Sequence, residues 1–413
     1  MSWPARLTSA QAAALTIGKG RARYSFGSTN TIGSGGITGH TWQSLFQCPV
    51  EFYAVQFLFA NPTTTDLTIL LNRLSCSAAA TEKYSDRVGA WQGGAKTANF
   101  TALTFGGNTY PPLTAATGTG NRAYTYGLSD VLPMRAYAPT EGTDYKALVR
   151  CLTPGNVSFI DASGSTTAIR QFASDWYSDD VGAADYTASN PASLNGPDDG
   201  FITCFGAVFH TAEKYVSGLA VGDSISGGTG TADTVSGYPL YARKSLTASG
   251  KKAGMQPSGI ASSNSTDYIA RAKAIINAGM APNFCVFPIN TRNDPGTNNP
   301  TATQVSGRIQ AAIAFAEYLA DRNIIPVIVG PTPEASLPAA GIAAYTTFES
   351  VGPVIAATFG GVYISALTVF GATIANSYAW AVAGDTSDNV HTTDQGASKL
   401  GTVVANAVLP YLP

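Results

Sequence analysis

Charge is scarce in this 413-residue chain: only 12% of its residues are Asp, Glu, Lys or Arg. Ser, Thr, Asn, Gln and Gly must therefore cover the surface, a composition that suits a β-rich protein secreted or carried on a virion surface. Neither sign dominates, with a formal net charge of -2, so no basic field gathers nucleic acid. Histidine is rarer still, at three copies, which leaves few candidates for imidazole chemistry. The five cysteines, Cys48, Cys76, Cys151, Cys204 and Cys285, are odd in number and form no Cys-x-x-Cys pair. This argues against a structural zinc site or a thioredoxin-like motif. Most are expected to be buried free thiols, with one disulfide among the first four left open. No apolar run approaches the roughly 20 residues that span a bilayer. Residues 1–19 lack the apolar core and cleavage site of a signal peptide. The expectation is a soluble protein without a membrane span, with composition favouring an extracellular or virion-associated place; if it leaves its cell, the expected route is lysis or a phage particle.

What the chain does contain is two kinds of pattern. Its length favours two domains, and its character changes near residue 213. Before that point, Glu51–Ala60, Leu67–Leu74, Tyr145–Leu152 and Phe201–Thr211 read as strands. In the first, Tyr53, Val55, Phe57 and Phe59 alternate against the other face. Turns such as Gly106-Gly107-Asn108 and the loop 195–200 separate them. Residues 1–213 are therefore expected to form an all-β sandwich, jelly-roll-like. After residue 213 strands and helices alternate. The helical spacing of Val305, Ile309, Ala312, Ile313, Ala316 and Leu319 predicts a helix over 301–322, with Asn323 as its cap. Phe284–Ile289, Ile324–Val329 and Val362–Ile364 read as short buried strands, Pro326 being awkward in the second. A final helix is expected from a capping box of Thr392 with Gln395, with Leu400, Val403, Val404 and Ala407 on its apolar side. Residues 214–413 thus predict an α/β domain: a doubly wound parallel sheet with helices on both faces.

In such a sheet, ligands bind beyond the carboxyl ends of the strands. Gly222-Asp223-Ser224 follows the apolar segment Gly218–Val221 at such an end, so Ser224 is the candidate nucleophile; Gly222 and Gly227-Gly228 leave the approach to it open. A serine nucleophile needs a base, an orienting acid and donors for the oxyanion. His391, just before the final helix, is the candidate base, and Asp388 three residues earlier its orienting partner. Asn293, in the loop after the strand at 284–289, carries an amide that can donate to a developing oxyanion. Gly259, after Ser258, can offer an unshielded backbone N–H, with Gly254 a rival. Gly222–Gly227 has glycines at phosphate-loop spacing but Gly228 where a lysine is required. Asp385, Asp388 and His391 could ligate a cation, although the triad accounts for two of them better, and no cofactor or metal is expected.

The ordered set Gly222-Asp223-Ser224, Ser258-Gly259, Asn293-Asp294 and Asp388-x-x-His391 resembles the four conserved blocks of the SGNH (GDSL-type) hydrolases, over about residues 214–413. The resemblance implies a three-layer α/β/α fold. It also implies Ser224 as nucleophile, His391 as base, Asp388 as its partner, and Ser224, Gly259 and Asn293 as oxyanion donors. One departure is visible: the family usually has Gly two residues before the Asn, and this chain has Thr291. The expected activity is ester hydrolysis through an acyl-enzyme, and the β-rich region ahead is similar to the layout of some carbohydrate esterases. An acetylated carbohydrate is therefore the expected substrate, with Trp42, Trp91 and Trp176 as candidate sugar platforms and His40 and His210 structural or ligand-contacting. A lipase or thioesterase on longer acyl chains, and an inactive glycan-binding protein, are the alternatives. Oligomeric state is not legible.

Overall fold

Strand pairing changes from antiparallel to parallel along the chain. The computed structural model describes residues 40–61, 73–79, 101–109, 125–134, 136, 145–153, 175–177, 204–231, 237–260, 262–296, 298–335 and 337–412. In the first part lie β1 (His40–Cys48), β2 (Phe52–Asn61), β3 (Arg73–Ala79), β4 (Thr101–Ala102), β5 (Thr125–Leu128), β6 (Leu132–Pro133), β7 (Tyr145–Thr153), β8 (Asp175–Tyr177) and β9 (Cys204–Thr211). One antiparallel sheet has the order β4-β3-β7-β1-β8; in the other, β2 pairs with β5, β6 and β9. Phe46 of the first sheet packs on Phe57 of the second, with ring centroids 5.6 Å apart.

The alternation expected in 51–60 holds only in part. Tyr53 is 58% exposed, whereas Val55, Phe57, Leu58 and Phe59 are all buried. The reason is that β2 is covered on two sides: Phe57 meets Phe46, while Leu58 joins the core of the α/β part. Positions 67–72 of the expected strand 67–74, positions 201–203 of the expected strand 201–211, the loop 195–200, Trp91 and residues 1–19 lie outside the described residues. Trp42 lies on β1 and Trp176 on β8. Cys48 and Cys285 are buried free thiols.

The second part holds β10 (Val216–Gly222), β11 (Ala253–Gly259), β12 (Phe284–Pro288), β13 (Ile325–Val329) and β14 (Val362–Ile364), all parallel, in the order β11-β10-β12-β13-β14. Its helices are α1 (Ser224–Gly227), α2 (Tyr238–Ala248), α3 (Ser265–Asn277), α4 (Ala302–Ala320), α5 (Ala339–Thr358), α6 (Ala366–Val369) and α7 (Asp394–Val408). Two apolar cores flank the sheet. One gathers Tyr268 and Ile275 of α3, Phe315 of α4 and Phe348 of α5; the other gathers Leu246 of α2 and Leu400, Val404 and Val408 of α7. These are the three layers of an α/β/α fold. Because β11 and β12 lie on opposite sides of β10, the strand order reverses at β10, and the ligand crevice of such sheets opens there.

Several local expectations are corrected. The cap of α7 is Thr393, whose hydroxyl accepts the Gly396 N–H; Thr392 instead bridges to Thr386. Val403 is 36% exposed, because the buried stripe of α7 runs through Ala397, Leu400, Val404 and Val408. Helix α4 begins at Thr301 with a capping box to Gln304 and ends at Asp321; Asn323 turns the chain just beyond, at φ 59°. Pro326 fits inside β13 because the Ile325 N–H donates to Asn283 on the β12 side, so the next residue faces β14, whose pairing starts only at Val327.

Candidate active site

β10 delivers its last residues into a sharp turn at the crevice. Asp223 caps α1 by accepting the Ile225 N–H at 3.0 Å, and Ser224 is the first residue of that helix. The Ser224 Oγ lies 3.0 Å from His391 Nε2, although 167 positions separate the two residues. His391 Nδ1 lies 2.6 Å from Asp388 Oδ2. The other oxygen, Asp388 Oδ1, accepts the backbone N–H of Val390 (2.9 Å) and of His391 (2.7 Å), so one carboxylate shapes the loop and orients the ring. Burial alone would raise the Asp388 carboxyl; the His391 and Val390 hydrogen bonds outweigh it and hold the group below its ordinary value. With the Nδ1 proton on the Asp388 side, Nε2 is free to take the serine proton and hand it on, the proton traffic of acyl transfer.

The loop bearing Asp388 and His391 is closed at its base. Thr386 and Thr392 pair across it, and the Thr393 N–H donates to the Asp385 carbonyl. The Asp385 side chain, fully buried, turns away from the crevice to Lys399 Nζ (2.8 Å) and Gln395 Nε2 (2.9 Å) of α7. Among the described residues no cluster of three His, Cys, Asp or Glu side chains could hold a metal ion. Gly230, at φ 91°, packs against this loop: a Cβ there would stand 2.7 Å from His391 Cβ and 2.9 Å from the Thr392 carbonyl oxygen.

The oxyanion candidates are placed unequally. Asn293 borders the crevice beside Ser224 and His391, its Nδ2 donating to the Ser263 carbonyl (3.2 Å) and to Thr291 Oγ1 (3.3 Å). Thr291, where the family usually has Gly, ties the rim together. Its hydroxyl donates to Asp223 Oδ2 at 2.5 Å and accepts the Asn293 backbone N–H at 3.2 Å. Gly259 ends β11 behind the turn that bears Ser224. A Cβ on it would run into the Gly227 nitrogen (2.2 Å) and the Asp223 carbonyl (2.7 Å), so the close approach of the two turns requires glycine there. Ser262 borders the crevice instead, with φ 62°, a left-handed conformation that glycine adopts most readily. Gly254 lies in mid-strand, paired with Ser217. His210 sits on β9, 3.0 Å from Gln56 Oε1, and does not border the crevice; His40 begins β1.

Sequence reading passed over two residues. Arg271 on α3, only 1% exposed, donates through Nη2 to the Gly222 carbonyl at 2.8 Å and to the Ser258 carbonyl at 3.0 Å, and through Nη1 to Ser263 Oγ at 3.3 Å. It thereby clamps the ends of β10 and β11. Glu334 follows β13 and reaches the crevice wall while only 5% exposed. A helical Arg and a loop Glu carry no sequence mark of burial. The crevice has a volume of about 450 Å³, and of its described lining residues only Ile225, Pro333 and Val390 are apolar.

No protein-family model and no curated protein matches this chain. Solved structures do. A catalytic mutant of an acetylxylan esterase from Geobacillus stearothermophilus matches at 16% identity and TM-score 0.39, covering 48% of this chain and 96% of that one. A lipase/acylhydrolase from Enterococcus faecalis matches at 14% identity and TM-score 0.37, over 47% and 95% of the two chains. A G-D-S-L family protein from Desulfitobacterium hafniense DCB-2 matches at 18% identity and TM-score 0.38, over 46% and 99%. Over about half its length, then, the chain is similar to GDSL-type lipolytic and acylhydrolase proteins.

Proposed function

We propose that this protein is a serine-dependent carboxylic ester hydrolase of the SGNH type, acting as an O-deacetylase on acetylated carbohydrate. The observation that carries this reading is the unbroken run from Ser224 through His391 to Asp388, at 3.0 and 2.6 Å. Ser224 attacks the ester carbonyl while His391 takes its proton, and Asp388 stabilises the imidazolium that forms. The oxyanion takes a hydrogen bond from Asn293 in place of one of its present 3.2–3.3 Å contacts. Where the family pattern has a glycine donor, we assign the backbone N–H of Ser262 rather than of Gly259. His391 then protonates the departing alcohol, and a water activated by His391 releases the acid.

The polar side chains that border the crevice, among them Ser262, Arg292, Asn293 and Glu334, can meet the hydroxyls of a polar alcohol. In this reading residues 214–413 form the catalytic domain, and residues 1–213 an accessory jelly-roll-like sandwich. Ser224→Ala should reduce acetate release from acetylated sugars and from phenyl acetate by about 10⁶-fold. Turnover in that variant within tenfold of the wild type would reject the assignment. Activity across an acyl-chain series should fall steeply beyond four carbons; a rise with chain length would favour the lipase reading.

A further inference from the structure

The crevice holds an opposed pair of charges that the ester chemistry leaves unused. Arg292 projects from the loop after β12, exposed, and Glu334 from the loop after β13, buried; both border the space in front of Ser224. Glu334 is fixed from beneath, its Oε1 accepting the Tyr345 hydroxyl at 3.1 Å. A carboxylate has about four acceptor positions and a guanidinium five donors in a planar fork. Burial raises the Glu334 carboxyl above its ordinary value, and the Arg292 charge and the hydrogen bonds from Tyr345 and Asn298 act against that rise. The pair puts hydrogen-bond acceptors and donors on the same crevice. It suits a neutral partner that both donates and accepts, and a polyol does so at every hydroxyl.

We propose that Arg292 and Glu334 form a hydroxyl-recognition subsite that selects esters of neutral, polyhydroxylated compounds. The proposal rests on the esterase reading above for its position and deepens it by assigning the polar selectivity to two side chains. The carboxylate accepts from one hydroxyl, and the guanidinium donates to its neighbour. Position on the sheet supports this. Arg292 and Glu334 follow β12 and β13, the strands successively farther from β10, so the subsite extends the crevice along the sheet edge away from Ser224.

The test compares kcat/KM for a mono-O-acetylated methyl glycoside with that for phenyl acetate, in the wild type, Glu334→Gln and Arg292→Gln. The wild type should prefer the glycoside, and each substitution should lower the ratio of the two values by about tenfold or more. Because Glu334 is buried, its variant can fail to fold; Arg292 is exposed, and its variant decides alone in that event. A ratio unchanged within about twofold in Arg292→Gln overturns the subsite. Binding of the unacetylated methyl glycoside, followed by NMR, separates the two readings. A protein that hydrolyses neither ester but loses glycoside binding in Arg292→Gln refutes the esterase and keeps the subsite. Lack of both binding and preference refutes the subsite itself.

Discussion

At the scale of single residues, two positions show how steric and electrostatic detail sets the site. Gly230 carries no functional atom, yet a methyl group there would meet His391 Cβ at 2.7 Å. Gly230→Ala should therefore displace the imidazole and lower kcat by about 10²-fold while KM changes little; an unaltered kcat would show that the loop yields without cost. Asp223 is buried, and desolvation raises its carboxyl above the ordinary 3.8 despite the Thr291 and Ile225 hydrogen bonds. An acid whose folded value is raised stabilises the fold below its unfolded value and loses that contribution as pH rises towards the folded one. Stability should thus decline with pH from about 4 upward through this group, and Asp223→Asn should flatten that slope. Unfolding midpoints measured across pH 4–8 check it, and parallel profiles for the two proteins would contradict it. The same scale shows where sequence was mute. Ser262 and Asn293 border one crevice, but only Asn293 carries a chemical mark; a serine at φ 62° looks like any other serine until the backbone is seen.

At the scale of elements, what was legible followed periodicity. The spacing of Ile309, Ala312, Ala316 and Leu319 located α4 to within two residues at its C-terminal end, because one buried stripe dictates the repeat. Ends were less legible. Thr392 and Thr393 are chemically equivalent caps, and what decides between them is the hairpin that engages Thr392 with Thr386. That hairpin makes α7 an anchor for the loop bearing Asp388 and His391 as well as a packing element. Lys399 reaches back from α7 to the fully buried Asp385, so Lys399→Met would leave that carboxylate with its Gln395 hydrogen bond but without its cation at the base of the loop. With Lys399 itself 39% exposed, the cost should fall below the ~3–5 kcal/mol of a fully buried pair. A measured loss of about 1–3 kcal/mol, with a drop in kcat, is the expected outcome. A kcat equal to the wild type would mean that the loop holds its shape unaided.

At the scale of the whole molecule, the antiparallel and parallel parts are not separate cores. Leu58 of β2 is fully buried among α/β residues, and Tyr126 and Leu128 of β5 pack against the same cluster. Sequence could not have shown this, since strand pairing and the docking of one sheet on a helix join residues far apart in the chain. Leu58→Ala should cost about 2–5 kcal/mol and shift a single cooperative unfolding transition. Two resolved transitions, with only the first one moved, would mean that the halves fold independently.

The long span between Ser224 and His391 has a temporal meaning. On the proposed mechanism, a polypeptide still growing from its amino end carries the Ser224 hydroxyl for 167 further residues before the ring that would activate it exists. Throughout that interval the crevice can assemble strand by strand without attacking any ester nearby. On that mechanism reactivity waits until all five strands from β10 to β14 have been made.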